Sequence, residues 1–217
     1  MKPMIKKHLK TIIITSVLTL APMLVGLILW NKLPMELPIH FNINNEPDGY
    51  AGKAFAVFGM PLMMLAFHFI CIFSTKLDPK MKSLNSKVFT LVLYIIPATS
   101  LLMCALIYPS ALGKEMRVGL FVGLFLGLLF TITGNYLPKC KPSYTVGIKL
   151  PWTLEDPENW TKTHSLAGKI WLAGGLIIIA TAFLESPVVM FTVLGVMVVV
   201  PTVYSYMLYK NKKGKSE

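Results

Sequence analysis

The sequence predicts an all-α membrane protein with six transmembrane helices, and three observations support this fold class. Of its 217 residues, 54% are hydrophobic and only 14% are charged, a balance that excludes a water-soluble domain of this size. The apolar residues fall into runs of about 20, the length that an α-helix needs to cross a bilayer. These runs lack the alternation of polar and apolar residues that is typical of the strands of a membrane barrel.

The six predicted spans account for most of the apolar sequence. The first span follows a basic stretch that resembles the start of a signal peptide. Its apolar run is too long for a signal peptide, and no small residues at cleavage spacing follow Trp30, so we expect this span to stay in the protein. The predicted spans are residues 11–30, 54–74, 88–108, 117–134, 168–184 and 188–208.

The basic residues predict the orientation of the chain. A formal net charge of +11 would favour nucleic acid as the partner of a soluble protein, but in a membrane protein the cytoplasmic segments carry most lysines. With a cytoplasmic N-terminus, only Lys32, Lys53, Lys114 and Arg117 fall outside the cell. We therefore expect both termini in the cytoplasm and no direct contact with nucleic acid. The predicted cytoplasmic lysines are Lys2, Lys6, Lys7, Lys10, Lys76, Lys80, Lys82, Lys87, Lys139, Lys141, Lys149, Lys162, Lys169, Lys210, Lys212, Lys213 and Lys215.

The chain is predicted to contain two halves of three spans each, residues 1–108 and 109–217. A similar sequence opens the two long loops, which we name the first loop (31–53) and the second loop (135–169). Three crossings per half would give the halves opposite orientations, as in an inverted repeat. The alternative is that the loops share only the turn chemistry of Leu-Pro, which ends a helix. The repeated residues are Asn31, Leu33, Pro34 and Pro38, and then Asn135, Leu137, Pro138 and Pro142.

Small residues in the fourth span predict close helix packing. Gly119, Gly123 and Gly127 lie on one helical face, which permits close contact with another backbone. We favour a neighbouring helix of the same chain over a second copy, and the sequence leaves the oligomeric state open. Prolines within the spans remove helical hydrogen bonds, and we favour ordinary packing there over a moving hinge. These prolines are Pro22, Pro61, Pro97 and Pro201.

The first loop is predicted to be extracellular and to lie at the membrane surface. A short amphipathic stretch, residues 39–42, precedes a polar turn cluster that runs from Asn44 to Tyr50. His40 has no second histidine, cysteine or carboxylate at ligand spacing beside it, so we expect no metal site.

The second loop is predicted to be cytoplasmic and to lead into a long helix. Asp156 is a good N-cap and Pro157 suits the first helical position, so a helix should begin here and continue into the fifth span. On that helix Trp160, His164 and Trp171 share one broad face. Aromatic anchoring at headgroup depth is favoured over ligand binding for these tryptophans.

The second loop resembles the loop that follows the fourth span in the SdpI-type immunity protein family. The resemblance covers Gly134 to His164 and lies mainly in Gly147, Ile148 and Lys149, in the run Pro151-Trp152-Thr153-Leu154, and in Trp160, Thr163 and His164. This chain has Lys149-Leu150 where arginine and a small polar residue are usual, and Ser143-Tyr144 where asparagine and an aromatic residue are common. Lysine cannot reproduce the bidentate contacts of arginine.

The first loop is similar to the small domain of unknown function that often precedes this family. That resemblance lies in Leu33-Pro34, in Pro38 to Asn42 and in Glu46 to Gly49, so the two resemblances together span nearly the whole chain. They imply a protein of the bacterial cell membrane that protects a toxin-producing bacterium against its own secreted, membrane-active peptide. The family also implies that the toxin-bound protein recruits a transcriptional repressor to the membrane.

From this resemblance we derive two hypothetical sites. The lipid bilayer, a toxin peptide and a cytoplasmic repressor are the expected partners, and no cofactor or metal is expected. The toxin-facing hypothesis comprises His40, Phe41, Asn42, Asp48 and Tyr50. The cytoplasmic reporting hypothesis comprises Asn135, Pro138, Gly147, Lys149, Pro151, Trp152, Thr153, Trp160, Thr163 and His164.

Two other function classes were weighed against this one. An enzyme is not expected, because the loops contain no nucleophile with a base at recognisable spacing. A small secondary transporter or channel-like protein remains the alternative, since inverted repeats and broken helices are typical of transporters. The interior of the predicted spans contains His68 but no acidic partner for it, which disfavours ion coupling.

Overall fold

The computed structural model describes residues 3–80 and 85–214 of the chain. Within them, six helices are long and apolar enough to cross a membrane, as the sequence predicted. The prediction of a multi-pass membrane protein is therefore confirmed, whereas its orientation and inverted repeat stay predictions. Lys2, Lys82 and Lys215, which contributed to the predicted orientation, lie outside the described residues. The six helices are Leu9–Ile28, Phe55–Leu77, Ser86–Ala111, Val118–Lys139, Pro157–Leu184 and Pro187–Lys213.

The elements follow one another along the chain with short connections. Of the six helices, the fifth differs most from its predicted span. It begins at Pro157 and not at residue 168, because Asp156 caps it and Pro157 suits the first helical position. The helices are α1 (Pro3–Lys7), α2 (Leu9–Ile28), α3 (Met60–Leu77), α4 (Ser86–Ala111), α5 (Val118–Tyr136), α6 (Pro151–Glu155), α7 (Pro157–Thr181) and α8 (Pro187–Lys213). The strands are β1 (Glu36–Phe41) and β2 (Pro47–Gly52).

The first loop forms a β-hairpin, which the sequence analysis did not predict. Strands β1 and β2 pair antiparallel, with Leu37 opposite Ala51 and His40 opposite Gly49. The register shifts between Pro38 and His40, so the pairing contains a bulge there. The expected amphipathic stretch is thus one strand of a hairpin, and the polar turn cluster makes its turn and part of the second strand.

Contacts between Cα atoms divide the chain into two compact units. Unit 1 comprises Met1–Lys76 and Thr90–Phe121, and unit 2 comprises Leu77–Phe89 and Val122–Glu217. The core of unit 1 joins the hairpin to the neighbouring helix ends. Its buried residues are Leu33, Leu37, Ala56, Val57, Ile107 and Tyr108.

Polar side chains connect the helices of unit 1 near its prolines. The Tyr108 hydroxyl donates to the Pro22 carbonyl over 2.9 Å, and the Ser100 hydroxyl donates to the Thr19 carbonyl over 2.8 Å. A π-helical turn, Phe55–Gly59, precedes α3 and brings the chain to Pro61, which has no N–H to donate. These contacts satisfy polar groups that the apolar surroundings would otherwise penalise.

His68 lies inside α3 and is packed within unit 1. His68 is buried, and its Nε2 lies 3.0 Å from Oγ1 of Thr15 on α2. The Thr15 hydroxyl also donates to the Thr11 carbonyl, so the pair continues into the helical backbone. The contact therefore gives His68 a hydrogen-bonding partner on a neighbouring helix of unit 1.

In unit 2, glycines allow α5 and α7 to approach one another closely. A Cβ on Gly127 would lie 2.8 Å from the Gly175 carbonyl, and one on Gly134 would lie 2.8 Å from the Gly168 carbonyl. Only glycine allows two backbones to approach this closely. The predicted neighbour for Gly123 and Gly127 is therefore a helix of the same chain. Gly119 lies in unit 1.

Candidate functional site

The turn of the first loop is held by Asn42. Its Oδ1 accepts hydrogen bonds from the backbone N–H groups of Asn44 and Glu46, at 2.9 and 3.0 Å. Its Nδ2 donates to Glu46 Oε2 over 3.0 Å. Asn45 adopts a left-handed conformation at φ 65°, which asparagine tolerates better than most residues. The turn therefore has a defined shape, although its side chains are largely exposed.

The register of the hairpin brings His40 and Asp48 together. His40 Nδ1 contacts Asp48 Oδ1 as an exposed cross-strand pair, directly beside Gly49. A Cβ on Gly49 would lie 2.9 Å from the His40 Cβ, so the glycine gives the histidine room. The sequence shows no carboxylate at ligand spacing beside His40, and Asp48 reaches it because strand pairing joins residues that are eight positions apart.

The hairpin presents large apolar side chains outside the apolar helices. Met35 and Ile43 are each 78% exposed, and Tyr50 is 58% exposed. At its base Leu37 is fully buried, while at its tip the Gly119 N–H donates to Asn45 Oδ1 over 2.7 Å. Both ends of the hairpin are thus attached to unit 1. Such an exposed apolar surface on an anchored element is typical of a contact site.

Asp78 anchors the second loop, and the sequence analysis missed it. This buried carboxylate follows α3 directly, and its Oδ2 accepts from the Ser143 hydroxyl at 2.6 Å and the Tyr144 N–H at 2.9 Å. Thr145 adds two further donors, its hydroxyl at 3.0 Å and its N–H at 3.2 Å. Burial alone would raise the pKa of Asp78, but these hydrogen bonds, together with one from the Lys80 N–H, lower it below its usual value.

Trp160 and His164 form the buried centre of the second loop. Trp160 is 1% exposed, its Nε1 donates to the Cys140 carbonyl over 2.8 Å, and its ring stacks on His164 with centroids 4.0 Å apart. His164 Nε2 accepts from the Ile148 N–H at 2.9 Å, while Nδ1 lies 2.8 Å from the Trp160 carbonyl. Since a backbone N–H only donates, Nδ1 carries the proton in this arrangement.

The glycine of the motif is required by its backbone and its surroundings. Gly147 has φ +117°, a conformation that residues with a Cβ rarely adopt. A Cβ on Gly147 would also lie 2.6 Å from His164 Nε2 and 2.8 Å from two ring atoms of Trp160. The loop therefore closes over the histidine and tryptophan only with glycine at this position.

Thr153 fixes the start of α6. Its buried Oγ1 accepts from the Leu150 N–H at 3.0 Å and donates to the Ile148 carbonyl at 2.9 Å. Pro151 occupies the first helical position, as is common at helix starts. The Thr153 hydroxyl, the Leu150 N–H and the Ile148 carbonyl thus satisfy one another.

Trp152 and Thr163 connect the second loop to α8. Trp152 Nε1 donates to the Ser205 hydroxyl, and its ring packs against Tyr206 and Tyr209 with centroids 5.5 and 5.9 Å away. Asn159 Nδ2 donates to the Ser205 carbonyl over 2.9 Å, and the Thr163 hydroxyl donates to Asn159 Oδ1 over 2.9 Å. A polar network therefore links the ends of α6, α7 and α8.

Asp156 caps α7, which confirms the predicted helix start. Its Oδ1 accepts from the Glu158 N–H at 3.0 Å, and its Oδ2 pairs with Lys212 Nζ at 2.8 Å. The Lys212 ammonium, supported by the backbone N–H bonds, lowers the pKa of the Asp156 carboxyl. This pair joins the start of α7 to the end of α8.

The remaining motif residues divide into packed and exposed groups. The Pro138 ring packs against α7, where a Cβ on Gly168 would lie 2.5 Å from the Pro138 Cγ. Asn135, Lys149 and Pro151 are exposed. Burial raises the pKa of the nearby Cys140 thiol to about 11, which disfavours the reactive thiolate form.

The two loops differ in how accessible their polar side chains are. Across residues 3–80 and 85–214, no group of three or more histidine, cysteine, aspartate and glutamate side chains could hold a metal ion. The buried His164 and Trp160 contact only groups of their own unit in the bonds described above. The first loop, by contrast, offers exposed polar and apolar side chains on a fixed hairpin.

Comparison with known proteins agrees with the two resemblances that the sequence suggested. Residues 139–205 match the SdpI/YfhL protein family, and residues 17–65 match a domain of unknown function, DUF1648. The chain is 28% identical over 213 residues to the "Immunity protein SdpI" of Bacillus subtilis (strain 168), which covers 95% of this chain and 99% of that protein. No solved structure matches the chain. The resemblance to the SdpI-type family is therefore confirmed.

Proposed function

We propose that this SdpI-related chain is an immunity protein of the bacterial cell membrane, which protects cells by binding a secreted, membrane-active toxin peptide. The observation that carries the proposal is the similarity to an immunity protein along nearly the full length of both chains. Similarity over the whole length includes both loops, so it covers the regions in which a binding surface would lie. The six apolar helices supply the membrane location that protection against such a peptide needs.

The finer part of the proposal is that the first loop contacts the toxin. The hairpin carries exposed His40, Asp48 and Tyr50, with Ile43 exposed at the turn. Exposed aromatic and apolar side chains on a rigid support favour binding, because little conformational freedom is lost on association. Three crossings separate the two loops, so a toxin that arrives from outside would meet the first loop if the termini are cytoplasmic.

The role of the second loop is to hold the cytoplasmic ends of unit 2 in a fixed arrangement. We propose that any signal to a cytoplasmic repressor leaves through the exposed residues beside this loop, such as Lys149 and Tyr144, and not through its buried motif. Trp160, Thr153 and His164 support this division, since their polar atoms are already bonded within unit 2.

The function can be tested in Bacillus subtilis cells that lack their own SdpI immunity protein. The cells would express this chain and receive culture supernatant from the toxin-producing parent. Survival with a preserved membrane potential supports the proposal, whereas killing at the rate of cells with an empty vector contradicts it. A His68→Ala variant tests the transport alternative. Loss of protection by this variant would indicate that the interior of unit 1, where His68 lies, takes part in the function.

A further inference from the structure

The start of the second loop is basic throughout. From Asn135 to Leu150 the sequence contains Lys139, Lys141 and Lys149 and no acidic residue. The three lysines are exposed. The acidic side chain that contacts this stretch, Asp78, is buried and accepts hydrogen bonds from the loop itself. Its charge therefore faces inward, and the outer surface of the stretch carries an excess of positive charge.

A fourth lysine joins this surface from α7. The Pro138 ring packs on Gly168. The residues that follow these two in sequence are Lys139 and Lys169, so the backbone positions that carry both lysines lie near one another, and Lys169 is also exposed. We name Lys139, Lys141, Lys149 and Lys169 the basic surface.

The loop is held against the ends of apolar helices rather than projecting from them. Asp78, which binds residues 143–145, directly follows the last residue of α3, Leu77. Lys139 closes the fourth apolar span. Groups that lie where apolar helices end lie at the depth of lipid headgroups.

Tyrosine rings accompany the lysines at this depth. The Lys139 ammonium lies 4.9 Å from the centre of the Tyr136 ring, and the Lys80 ammonium lies 5.0 Å from that of Tyr144. Tyrosines are enriched at the interface between lipid and water, because the ring prefers the apolar side and the hydroxyl the wet side. A lysine over a ring keeps N–H groups that can donate to a phosphate.

We infer that the basic surface binds the phosphate groups of anionic phospholipids. Lysine attracts phosphate as a point charge, and clusters of basic residues beside membrane helices bind acidic headgroups. The four lysines come from two elements that pack on one another, so the site is shaped by the fold as well as by net charge. This inference does not depend on the proposed immunity function.

The test uses the purified full-length protein in a neutral detergent, titrated with phosphatidylglycerol or phosphatidylcholine. The readouts are the thermal unfolding temperature and the lipid that remains bound after washing, measured by mass spectrometry. The test variant carries Lys139→Gln, Lys141→Gln and Lys169→Gln. A matched control carries Lys6→Gln, Lys7→Gln and Lys10→Gln, which removes the same charge from exposed lysines beside another apolar helix.

We expect phosphatidylglycerol to stabilise both the wild-type protein and the control. The lipid concentration that gives half of the maximal stabilisation should agree within about twofold between them. Each lysine near a membrane surface contributes roughly fivefold to binding, so the test variant should need more than tenfold more lipid. Replacement of the same lysines by arginine should keep the binding and shows that charge is the cause. If the glutamine variant does not fold, the arginine variant and the control still allow the stabilisation by phosphatidylglycerol to be compared with that by phosphatidylcholine.

Three results would overturn the inference. Equal half-saturation for the test and control variants would mean that the basic surface is no special site. Equal stabilisation by phosphatidylcholine would mean that the headgroup charge does not matter. Stabilisation by inorganic phosphate alone, with the same dependence on these lysines, would identify a free anion as the ligand instead of a lipid.

Discussion

The two long loops differ in where their polar side chains point. In the first loop, His40 and Asp48 pair on the outside of a hairpin, and large apolar residues beside them are exposed. At the second loop, His164 of the loop and Asp78, which follows α3, are buried and bonded to the loop backbone. The sequence motif that is most specific for the family thus lies in the loop whose polar side chains are more often buried and already hydrogen-bonded.

This difference separates two reasons for a recognisable motif. Gly147, Thr153 and Trp160 are residues that this loop needs in order to close over α7, as their contacts show. A surface that meets a partner needs exposure instead, which Ile43 and Tyr50 have. We therefore expect substitutions in the second loop to change stability first, and substitutions in the first loop to change protection first.

The largest effect on stability is expected from Gly147→Ala. The new Cβ would overlap His164 and Trp160, and the positive φ adds strain, so the free energy of unfolding should fall by about 3–5 kcal/mol. The matched control is Gly52→Ala in β2, where a Cβ meets nothing within 4 Å. Thermal unfolding in detergent, followed by tryptophan fluorescence, compares the two. Similar unfolding temperatures for both variants would contradict the expectation that substitutions in the second loop reduce stability more than those in the first loop.

The next largest effect is expected from Asp78→Ala, which leaves the donors of residues 143–145 without an acceptor. The loss should be about 2–4 kcal/mol at pH 7. The exposed Asp48→Ala is the control, for which a loss below about 1 kcal/mol is expected. A destabilisation by Asp48→Ala as large as that by Asp78→Ala would contradict the assignment of the anchor to the second loop.

The contribution of Asp78 should also depend on pH. Folding lowers its pKa, because the hydrogen bonds outweigh the burial that alone would raise it. The stabilisation is therefore complete above the ordinary carboxyl pKa of about 4 and is lost as the pH falls through the lower folded value. Unfolding curves of the wild type and Asp78→Ala should converge below about pH 4. A constant difference from pH 7 to pH 3 would show that the carboxylate charge does not act here.

An effect smaller than that of Asp78→Ala is expected from His164→Ala, for which the exposed His40→Ala is the control. Removal of His164 leaves the Ile148 N–H without its acceptor, which should cost about 1–3 kcal/mol. Removal of His40 breaks only an exposed pair and should cost less than about 1 kcal/mol. Amide hydrogen exchange at Ile148 checks the mechanism: it should become faster in His164→Ala and stay unchanged in His40→Ala.

Local sequence signals predicted the helices well. Apolar runs identified all six candidate spans, and the Asp156-Pro157 pair gave the start of α7. The glycines of the fourth span predicted a close neighbour, although the sequence did not say that this neighbour is α7. Helix ends and apolar faces depend on residues near one another in the chain, which explains this success.

Contacts between distant segments could not be predicted in the same way. Ser143 and Asp78 are 65 positions apart, so nothing local marks Asp78 as the anchor of the second loop. Its place directly after an apolar span, in a Leu-Asp-Pro sequence, was the one available signal. The hairpin was missed because Pro38 lies within its first strand, because Pro47 begins its second, and because its polar turn also fits an irregular loop.

The central claim is that the first loop, and not the buried motif of the second, contacts the toxin. The most direct test measures protection by a variant with Ile43→Ser and Tyr50→Ser, corrected for the amount of folded protein in the membrane. The control is Glu36→Gln, an exposed change on the same hairpin. We predict that the double variant unfolds at the wild-type temperature and loses most of its protection, while the control keeps it. Full protection by a folded double variant would contradict the claim.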